Sequence, residues 1–476
     1  MLVPCPVNQD VYLIRSLSLL LALLLSLPVA AKLAEEGQAR PFAQPARDLQ
    51  QIRDSGELRV LVNQSRNTYS SVRGQATGSE NQRLEAFLAF LNQPRGGTTR
   101  SVNMKIIPLP KAQLQAAMQR GEGDLLVPGE VLDLPETSTL NASQPIMQQV
   151  PLVFVSRQGQ RRYQHVSQLA GRMVVLPAGS AALPVITRLN KQLRELKKAP
   201  LMIKWADPSL AAEDVLEMVA AGIYRLAVVE LPVAERWIRV LPGLRIDRHL
   251  ELDRSGSLVW MVQPDTPTLL ASVNFFLRNY SPPASVDSEF RKVYRSQYKV
   301  HNPLSAADQR RLEKVRPTLQ KYAGEQQFDW LLLAALAYKE SSLNPSARSP
   351  GGAVGLMQIT PVAARAVGMS HFEKLDDNVQ TSAKYLARIR RNFFSSPQIA
   401  ERDRLAFILA GYNLGPQRVQ NLRVEARKRG LNANQWFFQV ERIAAEKFGL
   451  HTVTYVSSLN KYYQAFVDQR DFIEPR

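Results

Sequence analysis

The chain carries the stretch FDWLLLAALAYKES at residues 328–341, and the first eleven of these residues are almost all apolar. A segment that is apolar on nearly every side predicts a helix buried in a domain core. Glu340 comes at the end of this run, where burial would remove water from its carboxylate and raise its pKa. Such a carboxyl group suits a general acid near neutrality, although a glutamate at a helix end is more often only a solvated residue.

The sequence around this stretch predicts helix from about residue 303 onward. Apolar residues recur there with the helical period, and strand patterns nearly vanish. Residues 303–476 are therefore predicted to form an all-α domain that is long enough to fold alone.

Residues 49–280 have a different pattern, in which strands alternate with helices. A first unit contains strands at 57–62 and 104–109, and a second unit begins with a strand at 173–176. This alternation predicts a mainly parallel α/β sheet in each unit, and two successive units predict two lobes with a cleft between them. Ser281-Pro282-Pro283 breaks the pattern, so residues 281–302 are predicted to be a linker.

The N-terminal residues predict export from the cytoplasm. Arg15 precedes an apolar run at 17–27, and small residues follow at 28–31, which is the layout of a secretory signal peptide. The run is too short to span a membrane, although an uncleaved amphipathic anchor is an alternative. Cys5 precedes the apolar run, so it does not stand where a lipid-carrying cysteine would. Residues 1–31 are predicted to be the signal peptide and residues 32–48 a polar tether.

The chain is strongly basic, with 60 Lys and Arg against 42 Asp and Glu and a net charge of +18. A surplus of this size favours anionic partners. In an exported protein, nucleic acid is a poor candidate, and peptidoglycan with its lactyl and stem-peptide carboxylates is a better one. A solvated basic surface, or contact with anionic lipid head groups, is an alternative.

Two loops after Glu340 carry further signals. Residues 350–361 contain three glycines, which let a backbone approach a ligand closely, and then Gln358, whose amide can bridge sugar hydroxyls. Residues 411–416 end a helix with the pair Tyr412-Asn413. In this order and spacing, Glu340 and the two loops resemble the soluble lytic transglycosylase domain, a lysozyme-like fold that cleaves peptidoglycan. The resemblance covers roughly residues 300–470.

The resemblance implies a role for each matching residue. Glu340 would be the catalytic acid and then the base, with no cofactor and no metal. The implied substrate-binding residues are Ser349, Met357, Gln358, Tyr412, Asn413 and Tyr455. A packed core tyrosine is an alternative interpretation of Tyr455. Among the departures from the family pattern, His451 stands where a glutamate is often found.

The implied reaction breaks the β-1,4 bond between N-acetylmuramic acid and N-acetylglucosamine without water and leaves a 1,6-anhydro ring. Standard glycosidases need two carboxylates, whereas this motif supplies one. A hydrolytic muramidase is a second enzymatic hypothesis. A non-catalytic cell-wall sensor is a third, and the presence of Glu340 and Gln358 argues against it.

Residues 50–280 resemble the periplasmic solute-binding proteins for amino acids, through the segments 56–62, 123–126, 143–145 and 173–180. Such a domain followed by a transglycosylase domain resembles the membrane-bound lytic murein transglycosylase F family. The resemblance implies a periplasmic enzyme, peripherally associated with the outer membrane, whose N-terminal domain has a regulatory or targeting role.

The predicted ligand cleft of the N-terminal domain departs from the amino-acid binders. Glu136 stands where they usually carry an arginine that grips the ligand carboxylate. Glu230 replaces the shorter acidic residue that takes the ligand ammonium group, and Ser180 is retained. A muropeptide or another wall fragment is therefore a better candidate ligand than a free amino acid, and a structural role without a ligand is an alternative.

Overall fold

The computed structural model describes residues 45–72, 75–94, 100–250, 252, 254, 256–283, 286–295 and 300–474. The predicted signal peptide, residues 1–31, and most of the predicted tether, residues 32–48, lie outside these ranges. Residues Ala46–Arg476 form one compact unit.

The first lobe is built on a five-stranded sheet with the strand order β4-β1-β5-β12-β6. Strands β1 (Glu57–Asn63), β4 (Asn103–Leu109) and β5 (Leu125–Val127) are parallel. Strand β12 (Met261–Val262) is antiparallel to both of its neighbours, β5 and β6 (Asn141–Ala142). A separate short hairpin pairs β2 (Ser71–Val72) with β3 (Gln75–Ala76). The helices of this lobe are α1 (Leu49–Ser55), α2 (Asn81–Leu91), α3 (Leu114–Gln119) and α7 (Pro267–Asn279).

The second lobe has its own five-stranded sheet, with the order β11-β7-β10-β8-β9. Its strands are β7 (Leu152–Arg157), β8 (Met173–Leu176), β9 (Met202–Trp205), β10 (Leu226–Glu230) and β11 (Leu244–Asp247), and its helices are α4 (Leu183–Glu195), α5 (Ala212–Ala221) and α6 (Leu231–Trp237). Strand β7 is buried and antiparallel to both β10 and β11. Two lobes with mostly parallel central strands confirm the fold class predicted for this half of the chain.

The carboxyl ends of the parallel strands in the two sheets carry the loops that line the space between the lobes. The loop after β1 contains Asn67, the loop after β5 contains Gly129, and β10 ends at Glu230. These three residues line one cavity of about 500 Å³. Open α/β sheets bind ligands at this edge, so the predicted cleft lies where the fold favours a ligand site.

The C-terminal part is helical, as predicted. Its helices are α9 (Ala306–Glu325), α10 (Trp330–Ser341), α11 (Pro361–Ala366), α12 (Leu375–Phe393), α13 (Glu401–Leu414), α14 (Pro416–Lys428), α15 (Glu441–Phe448), α16 (Leu450–Val467) and α17 (Arg470–Ile473). The helical backbone is broken between α14 and α15, because Phe437 is extended and Phe438 has φ +61°.

The helical part and the second lobe share one apolar core. Buried side chains of α5 and β10 belong to the same cluster as those of α10 and α16, whereas the first lobe has a core of its own. The predicted linker, residues 281–302, contains α8 (Val286–Tyr294), whose Phe290 packs on Trp237 with ring centroids 5.0 Å apart. The segment between the two parts is therefore packed on the second lobe.

Candidate active site

Glu340 lies in the last turn of α10, after a run in which every residue from 330 to 338 is buried. Its side chain is half-buried, and its Oε1 accepts a hydrogen bond of 2.5 Å from the hydroxyl of Tyr455 on α16. Burial raises the pKa of Glu340 to about 7, against the opposing effects of the Tyr455 hydrogen bond and the Lys339 charge. The carboxyl group can therefore both give and take a proton near neutral pH.

Lys339 is a part of this site that the sequence reasoning missed. Its ammonium nitrogen lies 5.8 Å from the centroid of the Tyr455 ring, and burial lowers its pKa. Among the residues that the structure describes, the side chains that shift the pKa of Glu340 are Tyr455 and Lys339, and neither is a carboxylate. The site thus combines one carboxylate with one neighbouring cation.

The rate of cleavage should fall as pH rises through about 7, because Glu340 must be protonated to act as an acid and its pKa is raised to about 7. Tyr455→Phe removes a hydrogen bond that stabilises the charged carboxylate, so it should raise the pKa and move this limb to higher pH. The measurement is the pH–rate profile of both proteins on purified sacculi. A limb that moves to lower pH in the variant would contradict the assigned direction.

The glycine-containing loop is fixed to α10 by the half-buried Ser341 and to α12 by the buried Asn378. Ser341 Oγ donates to the carbonyl of Leu356 at 2.8 Å. Asn378 accepts from the N–H of Met357 at 2.9 Å and donates to the carbonyl of Val354 at 2.9 Å. Sequence reasoning missed Asn378, since no local pattern marks an asparagine in the first turns of a helix as the partner of a loop some twenty residues earlier.

Gly355→Ala should be more destabilising than Gly352→Ala. Both glycines have positive φ, +78° and +81°, so alanine is strained at each by about 1 kcal/mol. A Cβ at residue 355 would also lie 2.3 Å from Asn378 Nδ2, whereas nothing lies within 4 Å at residue 352. We expect about 1–3 kcal/mol of additional loss at residue 355, measured by denaturant unfolding. Equal losses would mean that Asn378 moves aside freely.

The other residues predicted to bind substrate lie on the same group of loops and helix ends. Tyr412 donates to the carbonyl of Met357 at 2.8 Å, and burial raises its pKa with a further contribution from the charge of Glu340. Gln358, with φ +49°, uses its amide nitrogen to bond the carbonyls of Ala347 and Gly355.

Ser349 and Asn413 also hold local structure. Ser349 Oγ accepts the N–H of Ala353 at 3.1 Å, inside the glycine-containing loop. Asn413 Oδ1 accepts a 3.2 Å hydrogen bond from Thr452 on α16, a buried residue that the sequence reasoning did not single out. His451, next to Thr452, is exposed in the first turn of α16.

A second buried network joins α16 to both lobes. Lys461 Nζ lies 2.8 Å from Asp214 Oδ1 and also bonds Glu217, both on α5. Arg66, from the loop after β1, donates to Asp214 at 3.1 Å and, through its backbone N–H, to Glu213 at 2.7 Å. Arg66, Glu213, Asp214, Glu217 and Lys461 are named here the interdomain charge cluster.

The residues predicted for the cleft between the lobes lie in different surroundings. Glu230 is buried at the end of β10, and burial raises its pKa to about 7. Ser180 is half-buried, and its Oγ accepts the N–H of Ala182 at 3.2 Å. Glu136 is exposed. Of the three, Glu230 is the one that lines the cavity of about 500 Å³.

Comparison with known proteins agrees with this geometry. Residues 317–435 match the family model "Transglycosylase SLT domain", and this range contains Glu340, the glycine-containing loop and the Tyr412-Asn413 pair. The matched domain and its helical fold define the class of protein: a lytic transglycosylase.

Relatives extend the likeness over most of the chain. Membrane-bound lytic murein transglycosylase F of Shewanella pealeana is 30% identical over 375 residues, which are 75% of each chain. The protein of the same name from Pseudoalteromonas translucida is 25% identical and covers 90% of this chain and 91% of its own. The chain therefore belongs to the membrane-bound lytic murein transglycosylase F family, and its substrate is peptidoglycan.

Solved structures similar to the N-terminal half are solute-binding proteins. An ancestral arginine-binding protein bound to arginine is 17% identical, with a TM-score of 0.39, and covers 50% of this chain and 98% of its own. The solute receptor for L-cysteine of Neisseria gonorrhoeae is 15% identical, with a TM-score of 0.41, and covers 52% and 93%. In the part of the chain that the structure describes, no helix has the length and apolarity to cross a membrane.

Proposed function

We propose that Glu340 performs both proton transfers of a water-free cleavage of the glycan strand. Its carboxyl group protonates the glycosidic oxygen between N-acetylmuramic acid and N-acetylglucosamine as the C1–O bond breaks. The carboxylate then takes the proton of the C6 hydroxyl, whose oxygen bonds to C1 and closes the 1,6-anhydro ring. The observation that carries this proposal is a half-buried carboxyl group with a pKa of about 7 beside a tyrosine and a lysine. One group can serve twice because the proton it gives in the first step is replaced in the second.

The loop residues of the site are proposed to position the substrate around Glu340. Tyr455 holds the carboxylate directly, and Tyr412 fixes the backbone of Met357. Gln358 offers its amide oxygen, and Ser349 and Asn413 lie on neighbouring loops that carry local hydrogen bonds. Holding the C6 hydroxyl close to C1 would supply the effective concentration that replaces water as the attacking group.

A hydrolytic muramidase remains the competing reaction, and the products distinguish the two. Purified sacculi digested by the enzyme should release muropeptides that are lighter by one water than their hydrolysed counterparts, as seen by mass spectrometry. Products with free reducing ends would show that water is the acceptor. Either product would exclude a purely non-catalytic sensor.

The N-terminal domain, residues 49–280, is proposed to regulate or target the helical domain, residues 303–476. The interdomain charge cluster supports a regulatory role, because it joins the loop after β1, helix α5 and helix α16 in one buried network. Lys461 and Tyr455 are six residues apart on α16, about 9 Å along the axis. A ligand that prefers one arrangement of the lobes would therefore also bias α16, whose Tyr455 donates a hydrogen bond to Glu340.

The cavity of about 500 Å³ between the lobes is in the size range of small-molecule sites, which suits part of a muropeptide or another small wall fragment. The test compares cleavage of sacculi by the whole chain with and without added muropeptides, alongside calorimetric binding. A severalfold change in rate is expected over the range in which binding saturates. An unchanged rate at saturation would remove the regulatory role and leave targeting.

Export to the periplasm, with peripheral association at the outer membrane, is the proposed location. It is supported by the signal-peptide pattern at residues 1–31 and the net charge of +18, and the relatives are named membrane-bound. Fractionation of cells that express the whole chain tests this location.

A further inference from the structure

A lysine of the first lobe crosses the cleft between the lobes. Lys111 follows β4, and its Nζ lies 3.0 Å from Glu130 Oε2 in the same lobe and 3.5 Å from Glu230 Oε1 in the second lobe. The three side chains are only 6%, 7% and 8% exposed. Glu230 Oε1 also accepts the backbone N–H of Val131 at 2.9 Å. One carboxylate oxygen of the second lobe thus binds two donors of the first.

The backbone of the second lobe touches the first lobe at the same place. Gly179 has φ +72°, and a Cβ there would lie 3.0 Å from the backbone nitrogen of Ala112 and 3.3 Å from Lys111 Cβ. Any side chain at residue 179 would therefore push against the residue that carries the ammonium group. The remaining oxygen of Glu130 accepts from Asn63 Nδ2 at 3.2 Å. The lobes are closed on Lys111.

This position is the one in which a two-lobed α/β domain takes a ligand. Lys111, Glu130 and Glu230 all follow or end strands at the carboxyl edge of the sheets, where crevices in such folds bind their ligands. A primary ammonium group has three donors, and two opposed carboxylates are suited to receive them.

We propose that Lys111 is a tethered ligand: its ammonium group fills a primary-ammonium site between Glu130 and Glu230 and holds the two lobes closed. Because Lys111 already occupies this site, a free amino acid cannot place its ammonium group there, and any cationic wall fragment has to displace Lys111. The inference rests on the geometry of the cleft and is independent of the role of Glu340. Without Lys111, two buried carboxylates would face each other without a cation, which is unfavourable, so the vacated site should bind an added ammonium ion.

Chemical rescue tests this site. Lys111→Ala removes Cγ, Cδ, Cε and Nζ, the outline of a propylammonium ion. The melting temperature of the mature chain is measured at increasing concentrations of propylammonium, and propanol serves as the uncharged control. Lys111→Ala should melt at a lower temperature than the wild type. Propylammonium should restore the melting temperature of the variant with a Kd of about 1 mM, which is reasonable for so small a ligand. The melting temperature of the wild type should not change. Adding Glu230→Gln to this variant should weaken the rescue at least about tenfold, since one unit of charge in the site is lost.

Two outcomes overturn the proposal. Either Lys111→Ala is folded and propylammonium does not change its melting temperature, or propylammonium stabilises the wild type as much as the variant. Should Lys111→Ala fail to fold, Lys111→Met keeps most of the stem volume. Spin labels at Gln93→Cys and Arg194→Cys of the mature chain, which lacks Cys5, then report the separation of the lobes, since both sites are exposed and lie on different lobes. Lys111→Met should lengthen or broaden the distance distribution, and Lys191→Met, at an exposed site, should not. Identical distributions in wild type and Lys111→Met would refute the role of Lys111 in closure.

Discussion

Glu340→Gln is expected to lower the rate of peptidoglycan cleavage by about 10³-fold or more, since the change removes both the acid and the base of the proposed reaction. The amide is nearly the same size as the carboxyl group, but it neither gives up a proton nor accepts one. The hydroxyl of Tyr455 can still donate to the amide oxygen, so the local packing should survive. The measurement is the release of soluble muropeptides from sacculi to which the purified protein is the only enzyme added.

Glu325→Gln is the matched control, because Glu325 is an exposed glutamate at the end of α9 in the same domain. It should cleave at the wild-type rate. Melting curves of all three proteins should superimpose within a few degrees. If folded Glu340→Gln retains more than a small fraction of the wild-type rate, another group must supply the proton.

Lys461→Met is expected to lower the free energy of unfolding by about 3–5 kcal/mol, the usual result of removing one partner of a buried ion pair. Lys461 is 1% exposed and contacts both Asp214 and Glu217, so its loss leaves these carboxylates short of a cation. Burial already raises the pKa of Glu217. In the variant this pKa should rise further, and protonation below it should relieve part of the loss.

The loss should therefore be larger at alkaline than at acidic pH, as measured by denaturant unfolding at several pH values. Lys447→Met is the matched control, since Lys447 is exposed on α15 and should change stability little. A loss that does not depend on pH would mean that Glu217 stays ionised in the variant. A loss below about 1 kcal/mol would mean that the interdomain charge cluster is hydrated or redundant.

Most elements of the fold could be predicted because their patterns are local. The strand predicted at 57–62 is β1, and the strand predicted at 173–176 is β8. Strand β7 could not be predicted, since its residues form a short apolar run that follows no helix, and antiparallel pairing with β10 and β11 decides its conformation. The break at Phe437 and Phe438 also depends on tertiary packing, since both residues are buried and the apolar pattern around them predicts a helix.

The candidate site also has parts that local sequence predicts and parts that depend on distant chain segments. The glycine-containing loop begins ten residues after Glu340, and the motif that they form is visible in the sequence. The contacts of Asn378 with that loop, and of Lys111 with Glu130 and Glu230, depend on chain segments that meet only in the folded protein. Lys339 is adjacent to Glu340 in sequence, but its position over the ring of Tyr455 joins residues that are more than a hundred positions apart.

The apolar core that the second lobe shares with α10 and α16 has a consequence for how such proteins can be recombined. A crossover at residues 281–302 would place one half of that core against a partner from another protein. The three buried carboxylates of α5, Glu213, Asp214 and Glu217, would then meet a new α16 as well. A functional chimaera of two relatives should therefore inherit the second lobe and the helical part from the same parent. The first lobe has an apolar core of its own, so its exchange would leave the shared core intact, provided that Arg66 and Lys111 keep their partners in the second lobe. Calorimetry of the native chain should accordingly show the second lobe and the helical part melting together.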